Sequence, residues 1–266
     1  MRVCGACHHG PPMETSTTWR APLLWRFLLA LSRVVIAPVC RLRVSGSVPA
    51  ELRSGPVILA ANHVSPFDPL VLVAACHRVG LAPRIMITGG LFDAPVVGAA
   101  MRACGHIRVD RGTARVAEAL PAAAQALKDG ATVLLYPEGR IGLDPWMWPE
   151  RGKTGVARMA AATDAPVVPV AQWGAHRVLP YEAPTRIGRA LLRALFTRPV
   201  VRVGFGAQVD VSGLSGSAGA QAMRATRLIM EGIDAALAPL RADEMQLPRY
   251  VDASRPVDLS RVRRPL

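Results

Sequence analysis

The chain has 266 residues, with 32 basic and 19 acidic side chains and a formal net charge of +13. Apolar residues make up 51% of it and its mean hydropathy is +0.25, which excludes a disordered protein and supplies ample material for a core. Its five cysteines are odd in number and do not form a secreted disulfide framework, so a reducing compartment is the default.

Only Lys128 and Lys153 are lysines; the other basic groups are arginines, a share that codon bias would also produce. The excess is spread as +1 over 1–13, +4 over 14–55, +6 over 56–240 and +2 over 241–266, without a long basic run. No nucleic-acid arm is expected, which leaves an anionic membrane surface and anionic substrates as the partners of the charge.

At the start, Cys4-Gly-Ala-Cys7-His8 matches the c-type haem attachment pattern and, with His9, half a zinc site. Haem attachment needs export and zinc needs further ligands at suitable spacing, so neither a metal nor a resident cofactor is expected. Met13 opens a better start, and residues 1–13 read as a leader without order.

Residues 22–40 are the most apolar stretch near this end, but Arg26 and Arg33 interrupt it seven residues apart, on one face of a helix. Each would cost about 2.5–3.5 kcal/mol at a bilayer centre. A helix lying in the membrane plane lets both guanidiniums reach phosphates while Leu23, Leu24, Phe27, Leu28, Leu31 and Val35 enter the acyl boundary. The rival is a helix packed on the protein's own core. Segment 14–55 is thus read as membrane-associating, with the protein peripheral or monotopic on the cytoplasmic face of the cell membrane.

From residue 56 short apolar runs alternate with helical segments. Strands are expected at 56–61, 84–88, 106–109, 131–136, 166–171 and 199–205. Helices are expected at 66–79, 91–103, 113–128 (kinked or broken at Pro121) and 153–163. The pattern predicts an α/β fold with a mostly parallel central sheet flanked by helices, spanning 56–240. Residues 241–266 read as a basic, solvated or surface-hugging tail. Ligands of such sheets bind beyond the carboxyl ends of the strands.

Four segments fall at those ends. Asn62-His63-Val-Ser65-Pro66-Phe67-Asp68 leaves a buried strand and opens a helix, with Ser65 as the expected N-cap. Asp68 could merely complete the cap, or its carboxylate could reach the His63 Nδ1–H and leave Nε2 free as a base; an unperturbed imidazole titrates near 6.5. Ser65 lacks the strained elbow of a nucleophile, so the hydroxyl to be deprotonated belongs to the substrate. Oxyanion donors are expected among the backbone N–H groups at 65–68.

Gly105-His106-Ile-Arg108-Val-Asp110-Arg111-Gly112 leads from a strand towards a helix, where Arg111 could hold a phosphate or sit in a surface turn. Tyr136-Pro137-Glu138-Gly139-Arg140 follows another strand, with opposite charges around a glycine. A salt-bridged turn accounts for it equally. Pro166-Val-Val-Pro169-Val170 and Gln172-Trp173-Gly174 suggest an unusual turn or wall and no proton chemistry.

In this order and combination the four resemble the lysophosphatidate (1-acylglycerol-3-phosphate) acyltransferase family, over roughly 56–175. The resemblance implies an acyl-CoA or acyl-carrier-protein donor, a glycerophosphate-type acceptor, read as a lysophospholipid, and no metal. It implies His63 as general base, Asp68 as its orienting partner, Arg111 as a phosphate ligand, and Glu138 and Gly139 as shaping the acceptor site. The family commonly reads Glu-Gly-Thr-Arg-Ser where this chain has Glu138-Gly139-Arg140-Ile141-Gly142. Phosphate would then be held by Arg111, Arg140 and Lys153 in another arrangement. Two alternatives stay open: another lipid or glycerophosphate acceptor, and a lipid-binding protein without activity on the same scaffold.

Overall fold

The computed structural model describes residues 19–110, 112 and 116–264, with backbone alone at 116–117 and 183–186. The leader with Cys4, Cys7, His8 and His9, and the predicted phosphate ligand Arg111, lie outside the described residues.

Seven strands form one sheet: β1 (Arg41–Ser45), β2 (Val57–Ala61), β3 (Arg84–Thr88), β4 (Ile107–Val109), β5 (Thr132–Leu135), β6 (Val167–Trp173) and β7 (Val200–Phe205). Their order is β1-β7-β6-β2-β5-β3-β4, and every pairing is parallel except β6 with β7. The central strands β2, β5 and β6 are buried on both faces, as their unbroken apolar sequences require. Helices α1 (Leu23–Ile36) and α2 (Asp68–Arg78) cover one face, packing on Leu59, Val168 and Val201. Helices α5 (Val116–Lys128), α6 (Gly155–Thr163) and α8 (Ala218–Leu237) cover the other, against Ile58, Val133 and Val167. The sheet is thus the mostly parallel, helix-flanked one that the sequence predicts.

Several boundaries differ from expectation, each for a local reason. The helix expected over 91–103 is two, α3 (Gly89–Asp93) and α4 (Pro95–Ala103), separated by Ala94 at ψ 126°. Proline disfavours the helical region for the residue before it. Pro121, by contrast, lies inside α5, which continues past it. Pro169 sits within β6 and forms no turn: its carbonyl accepts from Gly206 N–H, and the ladder with β7 starts at Val170.

Segment 14–55 holds more than a helix, because residues 41–45 pair with Val200–Gly204 as β1. Helix α1 turns Trp25, Leu29, Ser32 and Ile36 inward, and the Trp25 indole N–H donates to the Pro83 carbonyl. The opposite side leaves Leu23 79%, Phe27 61% and Val34 68% exposed, beside exposed Arg26 and Arg33. Among the described residues no helix is long and apolar enough to cross a membrane.

Of the two readings of the C-terminal segment, the described residues fit the surface-hugging one. Arg241, Glu244, Asp252 and Arg255 are buried, because each meets an opposite charge, a ring or a backbone group. The Arg241 guanidinium lies between the Trp148 and Trp173 rings, 4.1 and 4.2 Å from their centroids, and Glu244 accepts from Trp173 and Arg177. α7 (Ala183–Thr197) fills the interval before β7.

Candidate active site

The site lies where β2, β5 and β6 end side by side. Beyond β2 the chain turns through Asn62 to Phe67 before α2 begins at Asp68, and this turn is held from within. Asp68 is fully buried, and its Oδ2 accepts from His63 Nδ1 at 2.8 Å, Val64 N–H at 2.5 Å and Ser65 N–H at 2.8 Å. The expected Ser65 N-cap is displaced by two residues. Its Oγ accepts from Phe67 N–H at 3.0 Å and donates to the Leu179 carbonyl at 2.7 Å. The His63 ring stacks on Tyr136 at 4.1 Å between centroids, and the side chain is 12% exposed. With Nδ1 directed at a carboxylate, the imidazole is oriented to act through Nε2.

The expected oxyanion donors are not available. Val64 and Ser65 N–H go to Asp68, Phe67 N–H goes to Ser65 Oγ, Asp68 N–H goes to the Ser65 carbonyl, and Pro66 has none. The same carboxylate that orients the histidine consumes the amides around it.

Tyr136-Pro137-Glu138 leaves β5 beside this turn. Glu138, also buried, accepts from His63 N–H at 3.0 Å through Oε1 and from Glu150 N–H at 2.9 Å through Oε2. It therefore braces the histidine backbone. Burial pushes its carboxyl up to about 7, against the pull of the two N–H groups. Burial raises the Tyr136 hydroxyl well above its ordinary value too, with Asp68 adding to it.

The remaining sequence-predicted residues are distributed unevenly. Gly139 has φ +73°, the left-handed region that favours glycine, and the Lys153 side chain lies against it. Lys153 is exposed and makes no ion pair among the described residues. Arg140, expected at the phosphate, is tied up instead: it pairs with Glu150 at 3.1 Å and Asp258 at 2.7 Å. Next to the undescribed Arg111, Arg108 donates to both oxygens of Asp110 and of Asp93, which hold its guanidinium firmly protonated. His106 is a core residue: its Nδ1 accepts from Ile85 N–H, and burial, with Arg84 adding, lowers its pKa to about 4.

Sequence reasoning missed three supports. Gln172 clasps Asn62 by three hydrogen bonds of 2.8–3.1 Å, fixing β6 to the start of the His63–Asp68 turn. A lone amide in the apolar run 166–173 was its signal. Glu150 accepts from Leu143 N–H at 2.6 Å, and Arg255 donates to the carbonyls of Val64 and Gly142. Arg255 carries no local signal, since its two partners lie 113 and 191 residues away in the chain.

A dry, carboxylate-oriented histidine at a strand end is suited to proton transfer with a substrate hydroxyl. Comparison with known proteins agrees in class. The Acyltransferase family model matches residues 41–173, half of the chain, and the chain belongs to that family. It is 25% identical over 179 residues to the 1-acyl-sn-glycerol-3-phosphate acyltransferase BAT2 of Brassica napus, covering 67% of this chain and 49% of that one. It is 32% identical over 132 residues to the human lysophospholipid acyltransferase LPCAT4, covering 47% of this chain and 24% of that one. The chain thus spans about half the length, or less, of these relatives. In fold it is similar to the crystal structure of the 1-acyl-sn-glycerophosphate acyltransferase PlsC from Thermotoga maritima. The TM-score is 0.61 at 22% identity, covering 82% of this chain and 80% of that one.

Proposed function

We propose that this protein is an O-acyltransferase of glycerophospholipid synthesis. It moves a fatty acyl group from acyl-CoA or acyl-carrier protein to the hydroxyl of a lysophospholipid, with 1-acylglycerol-3-phosphate as acceptor and phosphatidate as product. The observation that carries this reading is the 2.8 Å contact between His63 Nδ1 and the buried Asp68 carboxylate, which leaves Nε2 for the acceptor.

His63 Nε2 takes the proton of the acceptor hydroxyl as its oxygen attacks the thioester carbonyl. The tetrahedral centre collapses, the carbon–sulfur bond breaks, and the imidazolium returns its proton to the leaving thiolate. Asp68 stabilises the transient cation, and no acyl-enzyme forms. Base catalysis of this kind contributes about 10²–10⁴-fold, and orientation adds to it. The donor is a co-substrate, and the scheme calls on no resident cofactor or metal. Lys153 and Arg111 are the cations assigned to the acceptor phosphate, since Arg140 is neutralised by Glu150 and Asp258.

The exposed apolar side of α1, with Arg26 and Arg33 beside it, supports docking on an anionic bilayer at the cytoplasmic face of the cell membrane. Purified protein is screened with acyl-CoA against lysophospholipids and glycerol-3-phosphate by thiol release, with flotation on phosphatidylglycerol vesicles alongside. Turnover with lysophosphatidate, lost in His63→Ala with the fold retained, is expected; retained turnover in that variant rejects the histidine mechanism. Protein that stays in the soluble fraction rejects the membrane assignment.

A further inference from the structure

The C-terminal segment lies beyond the residues matched by the family model, yet it closes over the catalytic turn. It is stitched to the 136–152 loop at several points. Asp258 N–H donates to the Leu143 carbonyl, Arg140 pairs with Asp258, and Arg261 donates to the Glu138 carbonyl. Further back, Asp252 accepts from Tyr181 N–H at 2.7 Å, and the chain turns there, with Arg255 N–H bonded to the Asp252 carbonyl.

That turn delivers the buried guanidinium of Arg255 to two carbonyls at once, those of Val64 and Gly142. Val64 is the residue after the catalytic histidine, and Gly142 N–H donates to the His63 carbonyl at 2.8 Å. Arg255 therefore completes the backbone bonding of His63 and Val64. Their N–H groups are taken by Glu138 and Asp68, the His63 carbonyl by Gly142, and the Val64 carbonyl by Arg255. Two of these four bonds come from the 138–142 loop, and Arg255 joins that loop to the turn.

The charge environment favours the same placement. The attractions that offset the burial of Arg255 come from Asp252 first, then Asp68 and Glu138. Arg255 Nε and Asp68 Oδ1 are both buried without a direct partner among the described residues. A buried cation held by carbonyls and attracted by buried carboxylates is costly to remove, because its partners would be left unpaired.

We propose that Arg255 is a positioning residue for acyl transfer, holding the His63–Val64 backbone and the 138–142 loop in one register so that the His63–Asp68 pair meets the acceptor correctly aligned. The inference rests on the acyltransferase reading given above. It makes docking of the C-terminal segment a condition of catalysis, although that segment supplies no group to the reacting atoms.

The test compares Arg255→Ala, Arg255→Lys, Arg263→Ala and His63→Ala in the full chain, by steady-state thiol release and thermal melting. Arg263 anchors the same segment through Asp234, on the α8 side, and makes no contact with the catalytic turn among the described residues. Arg255→Ala is expected to lower kcat by about 10²-fold, the scale of a 1 Å misplacement, with KM for both substrates within about threefold. Arg255→Lys, which keeps the charge but lacks the planar fork that spans both carbonyls, should recover part of kcat, and Arg263→Ala should stay near the parent.

A kcat within threefold of the parent in Arg255→Ala, or a loss carried by KM, overturns the inference. So does an equal fall in Arg263→Ala. Should Arg255→Ala melt below the assay temperature, Arg255→Lys is decisive: parental kcat there overturns the inference and a several-fold fall supports it. Activity surviving in His63→Ala would instead strike the acyltransferase mechanism beneath it.

Discussion

The turn after β2 and the end of β4 both belong to parallel strands and both hold opposite charges, but they are built differently. In the first, His63 and Asp68 are 12% and 0% exposed, and the carboxylate bonds only to residues within five positions. In the second, Arg108 and Asp93 are 35% and 63% exposed and fifteen residues apart, with Asp110 as a nearer partner. A buried ion pair that loses one member leaves an uncompensated charge, whereas an exposed pair is screened by solvent and replaced by water. The turn after β2 is thus dry and suited to proton transfer, whereas the end of β4 is wet and its charges are open to solvent.

This contrast can be broken most directly at Asp68. Asp68→Asn keeps the shape but presents an amide to a ring nitrogen and two N–H groups that need an acceptor. We expect kcat to fall by about 10³–10⁴-fold with a small change in KM. A loss under tenfold, measured under single-turnover conditions, would remove the case for a dry catalytic end.

Glu138 comes next, because it holds the His63 backbone N–H. Its carboxyl lies at about 7 in the folded chain, against an ordinary value of 4.5. Between those values the folded chain keeps a proton that the unfolded chain has released, so this residue makes stability fall as pH rises across the window. Glu138→Gln should flatten that slope in urea titrations at pH 5 and 7.5. It leaves one N–H without an acceptor, at about 1–3 kcal/mol, and should cost kcat about 10–10²-fold. An unchanged slope would show that Glu138 ionises normally.

The smallest effect is expected at the wet end. Arg108→Ala removes the pairs to Asp93 and Asp110 but no buried partner, so kcat should stay within about threefold and any change should fall on KM for the acceptor. A loss of kcat comparable to that of Glu138→Gln would erase the distinction between the two regions.

The sequence was legible where structure is local. Strand 84–88 is found at its predicted bounds, and the His63–Asp68 pair follows from a short turn that five residues can close. Ala94 before Pro95 could have announced the break between α3 and α4. Reading Arg140 from its neighbours put it at the phosphate, but Asp258, 118 residues away, takes its charge. Arg255 is another such case: in the sequence it is one arginine among thirty, in a stretch without periodicity.

From residue pattern alone came the alternating α/β architecture, the buried central strands, the apolar side of α1 and the contact between His63 and Asp68, since apolar periodicity and short-range geometry are encoded in neighbouring residues. Tertiary structure alone decided the antiparallel β7, the inclusion of β1 in the sheet, and the roles of Gln172, Glu138, Arg140 and Arg255. Each of these rests on a partner brought close only when distant segments bury together. Burial is also what turns an ordinary carboxylate or guanidinium into one that must be paired.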